Sequence, residues 1–384
     1  MRFSIAVHFD WEIFQLDINN VFLYGELNEE VYMCLPDGYD QSNGTKVCRL
    51  KKSLYGLKQA PRMWNEKLVS VLLNRGFEQS KCDHSMFTMT KDSSFIILLV
   101  YVDDIIITGS FSKQVNEIKL LLKSKFSIKD LGNLQYFLGL EVVKNTAGLC
   151  LTQIKYCLDL LVEFGMTSCK PVSYPMEPNH VLNHLCEKDN QPLTNITVFQ
   201  KLVGKLIYLS HTRPDIAYYV HYLSQFMHSP TQAHFKIAIR LLRYLKGAPG
   251  KGILFEKGDS LGMKAFSDSD WAKCLGTRRS ITGFCIFLGN NLVSWKSKKQ
   301  STVSRSSAEV EYRSMCAATC DVMWISNLLK ELKVHVNLPI QLYCDNTAAI
   351  SIAANPVFHE RTKHFEIDLY FLREKISKGI IQTM

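Results

Sequence analysis

Residues 95–108 read Phe-Ile-Ile-Leu-Leu-Val-Tyr-Val-Asp103-Asp104-Ile-Ile-Ile-Thr. Eight apolar residues, two acids and three isoleucines predict two short buried strands joined by a tight turn, with both charges at its tip. An uncompensated carboxylate beside a core strand is costly to bury, so such a pair stays wet or binds a cation. Taken alone, the dipeptide has a plainer reading: Asp suits turns. The rest of the chain decides between the two.

The chain has 384 residues, 47% hydrophobic and 21% charged, long enough for two or three domains with cores of their own. A formal net charge of +9 favours a polyanionic partner, although Lys-rich surfaces are ordinarily just solvated. The longest apolar run, 95–102, is too short to cross a bilayer. The opening, Met1-Arg-Phe-Ser-Ile-Ala-Val-His-Phe-Asp10, lacks the long apolar region of a secretory signal. Twelve cysteines without a Cys-x-x-Cys pair fit reduced core thiols. These features predict an intracellular protein, cytoplasmic or nuclear, with no membrane partner. His180 and His184 have the i, i+4 spacing of metal ligands but no evident third ligand, and read as loop histidines.

Three segments are expected. Residues 1–143 hold strand-like stretches, a basic loop, the acidic hairpin and an amphipathic helix over Val115–Phe126. Residues 144–258 contain a loop broken by three prolines, Cys169–Pro178, and helices over Asp215–Met227 and His234–Lys246. Pro214 suits a first helical position and Thr212 a cap. Residues 259–384 read as three strands (Gly262–Ser267, Gly283–Leu288, Leu292–Trp295), a long helix, a strand over Ile340–Cys344, a helix and a last helix from about His364. The fold class is α/β and α+β multidomain, closing with a mixed sheet.

Polymerase chemistry needs carboxylates that hold two divalent ions about 4 Å apart, so Asp103 and Asp104 require a third acid from another strand. Asp17, flanked by Leu16 and Ile18, fits; an edge-strand Asp facing solvent is the competing reading. Four motifs occur in order: Leu16-Asp17-Ile-Asn-Asn-Val-Phe22-Leu-Tyr-Gly25, Glu30-Val-Tyr-Met33, Lys52-Ser-Leu-Tyr-Gly-Leu-Lys-Gln59-Ala-Pro-Arg62 and Tyr101-Val-Asp-Asp104. Together they resemble the reverse transcriptase of copia-type retrotransposon Pol polyproteins. The resemblance implies a palm with Asp17, Asp103 and Asp104 as its metal-binding triad, and Phe22 as the ring that excludes a 2′-hydroxyl. A core phenylalanine is the alternative for Phe22. The resemblance places Gln59 beside the incoming nucleotide. Arg49, Lys51, Lys52, Lys58 and Arg62 would meet phosphates or simply be solvated. Tyr136–Val142 resembles the segment under the primer end, and the helices of 144–258 a thumb and connection that grip template–primer without base readout.

A second acidic set follows: Asp268 and Asp270, Glu309 and Glu311, Asp345, and Glu366 and Asp368. With Thr277–Ser280, Val293–Gln300 and His359–His364, it resembles the RNase H domain of the same polyproteins, whose two-metal site takes four carboxylates. Ser306 and Glu309 have capping-box spacing, which leaves Glu311 as the catalytic candidate. The resemblance matches Asp268 to the first acid, with Asp270 at the start of a loop. Asp345 is either catalytic or the cap of the next helix. Glu366 and Asp368 point to different sides of one helix; Asp368 lies nearer the buried stripe, the resemblance favours Glu366, and both stay open. His359 and His364 could assist product release, bind nucleic acid or be plain surface histidines.

The resemblance implies Mg(II), with Mn(II) as a substitute. The partners it implies are an RNA template, a DNA primer, an RNA–DNA hybrid and deoxynucleoside triphosphates, with a homodimer or polyprotein context. It also implies about a hundred residues of fingers before the Asp17 motif, where this chain has 16. A polymerase-inactive remnant that retains an RNase H fold is therefore the alternative.

Overall fold

The computed structural model describes residues 1–36, 38–39, 46–91, 94–176, 191–258, 260–274, 276–355 and 365–384. His180, His184, His359 and His364 lie outside the described residues. The chain divides into two compact units: Phe9–Leu134 with Asn327–Val334, and Met1–His8, Gln135–Ser326 and His335–Met384. A short helix, α1 (Arg2–His8), belongs to the second.

In the first unit, β1 (Ile13–Ile18) leads into a two-stranded ribbon, β2 (Glu26–Cys34) and β3 (Val47–Lys52), and the helix α2 (Ala60–Asn74). Strands β4 (Glu78–Gln79), β5 (Met86–Lys91), β6 (Ser94–Tyr101) and β7 (Asp104–Gly109) follow, then α3 (Ser112–Lys125) and β8 (Ile128–Asn133). Six of these strands form one sheet in the order β4-β5-β6-β7-β1-β8. Pro61 sits in the first turn of α2, where its missing N–H costs nothing. Trp64, Leu68 and Leu72, four residues apart, put one stripe of α2 into the core with Val115, Ile118 and Leu122 of α3. They meet Leu16, Ile18, Ile96, Leu98, Ile105 and Ile107 of the sheet, each buried side chain contributing about 1.5–3 kcal/mol.

The second unit holds an antiparallel sheet, β12-β11-β10-β9, from β9 (Tyr136–Phe137), β10 (Leu140–Asn145), β11 (Gly148–Thr152) and β12 (Ile253–Glu256). The β9–β10 hairpin turns on Leu138 and Gly139, both at positive φ (51° and 75°). The Tyr208 hydroxyl donates to the Leu138 carbonyl at 2.6 Å and occupies the space a Cβ on Gly139 would need. Helices α4 (Ile154–Glu163), α5 (Ile196–Leu209), α6 (Ala217–Ser224) and α7 (Gln232–Gly247) share an aliphatic core that includes Leu161, Leu202, Leu206, Leu223 and Leu241.

The α6 entry departs from expectation. Pro214 opens a short 3-10 turn, but Thr212 does not cap it: its hydroxyl donates to Gln153 Oε1 at 2.8 Å, and Arg213 stands at the cap position. Arg213 is 1% exposed and grips Asp215 through Nε (3.0 Å) and Nη2 (2.8 Å), while Nη1 donates to the Ala248 carbonyl. The Tyr244 hydroxyl donates to the same carboxylate at 2.7 Å. Burial pushes Asp215 up, but the Arg213 and Tyr244 bonds outweigh it and hold the carboxyl at about 2. The stability this confers is present above the unfolded carboxyl range and is lost as pH falls toward 2. Arg213→Ala leaves the Asp215 charge with only the Tyr244 hydroxyl and the half-exposed Lys251, 3.4 Å away, and is expected to cost about 3 kcal/mol in denaturant unfolding at pH 7. Arg213→Met combined with Asp215→Leu removes both charges and should cost clearly less; equal losses would refute the pair's role.

The remaining strands, β13 (Met263–Asp270), β14 (Ile281–Leu288), β15 (Asn291–Lys299), β16 (Ile340–Tyr343) and β17 (Ile381–Thr383), form a mixed sheet in the order β15-β14-β13-β16-β17. Pairing is antiparallel among the first three and parallel from β13 through β16 to β17. Helices α8 (Ser307–Glu331), α9 (Thr347–Ala354) and α10 (Glu366–Ser377) complete it. Among the described residues, no helix is long and apolar enough to cross a membrane.

Candidate active site

Two groups of acids assemble, one in each unit. In the first, β1 and β7 pair antiparallel with Asp17 opposite Asp104. Tyr101 pairs with Asp104 across the β6–β7 hairpin, so Val102 and Asp103 form a two-residue turn. Val102 has φ 55°, a conformation that strains a β-branched residue. Three contacts hold the turn in place. Ile18 N–H donates to the Asp103 carbonyl at 3.0 Å, Trp64 Nε1–H to the Val102 carbonyl at 2.8 Å, and Gln15 Nε2 to Asp104 Oδ1 at 3.0 Å.

Asp103 is exposed, and Asp17 and Asp104 are half-buried. Burial raises the Asp17 carboxyl, the charges of Asp103 and Asp104 raise it further, and Lys129, its partner on β8, partly offsets them. Three hard oxygen donors that repel one another suit a divalent ion such as Mg(II), which would relieve that repulsion.

Phe22 lies half-buried in a 3-10 turn over Val21–Tyr24, edge-on to Tyr55 with centroids 4.6 Å apart, and its carbonyl accepts from the Ser53 hydroxyl. Gln59 precedes α2 without capping it and donates to Glu29 Oε1 at 2.8 Å. Of the basic cluster, Arg49 pairs with Glu30 (2.8 Å) and Arg62 with Glu66 (2.9 Å). Exposed pairs of this kind are weak and yield readily to a phosphate.

In the second group the sheet itself does the placing. Phe266 of β13 pairs in parallel with Tyr343 of β16, so Asp268, still within β13, and Asp345, just past the end of β16, lie at the same end of the pair. Helix α8 brings Glu311 there: Ser269 N–H donates to Glu311 Oε1 at 3.0 Å, and the Ser314 hydroxyl donates to the Asp268 carbonyl at 2.9 Å. Glu311 is 5% exposed. Burial, then Asp268 and Asp345, push its carboxyl up to about 7. A hard divalent ion held between Glu311 and Asp345 would stabilise the ionised Glu311.

Neighbouring acids have other duties. The Ser306 hydroxyl accepts from Glu309 N–H at 3.2 Å. The return bond of the expected capping box falls one residue early, from Arg305 N–H to Glu309 Oε2 at 2.8 Å, and Arg313 forks onto Glu309 Oε1. Asp345 does not cap α9: Asn346 does, its Oδ1 accepting from Ala349 N–H at 2.9 Å, which leaves Asp345 exposed. Asp270 ends β13 within 3.4 Å of the Tyr218 hydroxyl. Asp368 pairs with Arg313 at 3.4 Å and accepts from the Cys316 thiol, while Glu366 is exposed at the start of α10. Neither is among the charges that perturb Glu311.

Residues 1–178 match the family model described as reverse transcriptase (RNA-dependent DNA polymerase). Over 99% of its length the chain is 44% identical to the retrovirus-related Pol polyprotein from transposon RE1 of Arabidopsis thaliana, of which it spans 26%. It is 35% identical over 99% of its length to the corresponding polyprotein from transposon TNT 1-94 of Nicotiana tabacum, spanning 29% of that protein. The chain belongs to the copia-type reverse transcriptases. It thus covers about a quarter of the length of such Pol polyproteins. A foamy viral protease–reverse transcriptase solved in complex with dsDNA aligns over 97% of this chain and 68% of that one, at 11% identity and a TM-score of 0.22.

Within this copia-type chain, two residues beside the acids are not singled out by the sequence. Gln15 alternates with Asp17 on β1, a cue that both side chains emerge on the same face, yet its bond to Asp104 depends on pairing across 89 residues. Cys344 is the other. Among the described residues, the three-ligand group whose atoms all lie within 4.8 Å of one another is Glu311, Cys344 and Asp345. Burial, and then the Glu311 and Asp345 charges, push the Cys344 thiol up to about 11.

Proposed function

We propose that this chain is the polymerase and ribonuclease part of a copia-type Pol polyprotein, copying RNA into DNA and cleaving the RNA strand of the resulting hybrid. The observation that carries it is the pairing of Asp17 with Asp104 on adjoining strands beside the turn that bears Asp103, so that three acids meet at one end of the sheet. Residues 1–143 act as the palm, 144–258 as thumb and connection, and 259–384 as an RNase H-like domain.

Asp17, Asp103 and Asp104 would hold magnesium in the palm; Asp268, Glu311 and Asp345 would hold it at the second site, with Glu366 or Asp368 as the fourth acid. When bound, the ions supply Lewis-acid activation of the attacking oxygen and neutralise charge on the phosphate. The chain supplies the rest. The Val102–Asp103 turn, fixed by Trp64 and Ile18, holds the palm acids rigidly, which sets the line of attack of the primer hydroxyl. Phe22, braced by Tyr55, crowds the sugar position and excludes a 2′-hydroxyl. Gln59 exchanges its bond to Glu29 for the incoming nucleotide, and Lys51, Lys52 and Lys58 meet phosphates. At the second site Ser269 aims Glu311 at the hybrid backbone. Template, primer and deoxynucleoside triphosphates are the partners of this reading; Mn(II) substitutes for Mg(II), the site of action is intracellular, and a homodimer is compatible with it.

The test is primer extension by the full chain on an RNA template with a DNA primer, deoxynucleoside triphosphates and Mg(II). Extension that requires the metal supports the reading. No extension with any divalent ion, alongside intact cleavage of an RNA–DNA hybrid, overturns the polymerase half and favours a remnant that retains the ribonuclease.

A further inference from the structure

The thiol of Cys344 stands where ribonuclease chemistry has no use for one. Its Sγ lies 3.8 Å from Glu311 Oε2, and the ligand atoms of Glu311, Cys344 and Asp345 all fall within 4.8 Å of one another. Three neighbouring corners of a tetrahedral zinc site, with metal–sulfur bonds of about 2.3 Å and metal–oxygen bonds near 2.1 Å, are about 3.6 Å apart. Small side-chain rotations close that gap. The backbone that presents the group is fixed on both sides: Cys344 N–H donates to the Met384 carbonyl at 3.2 Å, and Asn346 caps α9 immediately afterwards. Glu311 is buried against β13 while Asp345 is exposed, so an ion can enter from one side and keep water in its open position. Cys320 is also exposed, but it belongs to no such three-ligand group among the described residues.

We propose that Glu311, Cys344 and Asp345 form a mixed sulfur–oxygen site for a thiophilic divalent ion of the zinc class, which binds in competition with magnesium. On binding, a metal–sulfur bond forms, the S–H bond breaks and the proton leaves to solvent, with no change of oxidation state. A thiolate selects zinc-class ions over magnesium, because magnesium prefers oxygen and holds its water. Two shared carboxylates make occupancy by the two ions mutually exclusive. The site would thus work as a metal-sensing brake on hybrid cleavage; that consequence, though not the binding, rests on the ribonuclease function proposed above.

Cadmium is the probe, since it shares zinc's preference and its bond to thiolate absorbs in the ultraviolet. The full chain is titrated with Cd(II) in the absence of nucleic acid, beside Cys344→Ser, Cys320→Ser and Glu311→Gln. The expected result is a tight-binding charge-transfer band that Cys344→Ser removes and Cys320→Ser retains. Glu311→Gln, which keeps every thiol, should raise the Cd(II) needed for half-saturation about 10- to 100-fold. Excess Mg(II) should raise it as well. Identical titrations of wild type and Cys344→Ser overturn the site, as does a band indifferent to Glu311→Gln; a midpoint that Mg(II) leaves unmoved overturns the competition. Because no cleavage is read, a failed titration leaves the ribonuclease function standing, and an inactive enzyme leaves the titration interpretable.

Discussion

Asp103→Asn is expected to abolish primer extension on an RNA template, lowering the rate by about three orders of magnitude while the protein stays folded. Asparagine has nearly the same shape, and Asp103 is exposed at its turn, so no packing is lost. The bond from Ile18 N–H uses the Asp103 backbone carbonyl and survives the change. What disappears is one negative charge at a proposed metal position. Charge stabilisation of that kind is worth several kcal/mol, and each 1.36 kcal/mol is tenfold in rate, so a loss of about 4 kcal/mol gives about a thousandfold. A second readout follows from Asp17, whose carboxyl is raised in part by Asp103. In Asp103→Asn, with the metal chelated, the Asp17 titration followed by NMR should move back toward the ordinary carboxylate range. Robust extension by Asp103→Asn would sink the assignment of the palm site.

Glu311→Gln should lose hybrid cleavage on a similar scale and, unusually for an active-site change, stabilise the metal-free protein at neutral pH. The sign follows from the direction of the shift. Glu311 is pushed up to about 7 when folded, above its ordinary value of 4.5, so the folded state holds the proton more tightly. Below pH 4 both states are protonated and the group contributes nothing. As pH rises from about 4 to 7 the unfolded chain ionises freely while the folded chain resists, and stability falls by about 3 kcal/mol before levelling off. Glutamine does not titrate. Denaturant unfolding with chelator present should therefore show Glu311→Gln gaining on wild type from pH 4 to pH 8. A difference that stays flat across that window is inconsistent with a buried, repelled carboxylate, and hybrid cleavage that survives the substitution refutes the catalytic assignment.

Local pattern carried much of this architecture. The run from Phe95 to Thr108 announces β6, its turn and β7, and a Pro or cap residue marks several helix starts. The Ser306–Glu309 spacing separates a structural acid from Glu311 before any coordinates, although the return bond lands on Arg305. What stayed illegible depends on distance along the chain. Strand β12 joins β11 across about a hundred intervening residues, and nothing in its four residues names that partner. Thr212 looked like a cap because caps are local; its real partner, Gln153, lies 59 residues away. The choice between Asp345 and Asn346 as cap turned on backbone geometry that two adjacent, equally good capping residues cannot reveal.

The β6–β7 hairpin also matters to the chain before it is folded. Between residues 95 and 108 the only charges are Asp103 and Asp104; the remainder, Thr108 apart, is aliphatic and aromatic, ideal for pairing with another copy of itself. Strand β7 waits for β1, some ninety residues earlier, and β1 for β8, so this segment lies open while the sheet assembles. Two adjacent negative charges in such a run act as gatekeepers, discouraging intermolecular strands by mutual repulsion. Neutralising both would silence the metal site and, during synthesis or refolding, also lift the barrier against aggregation, so poor solubility of the double asparagine variant is the expected signature of that second duty.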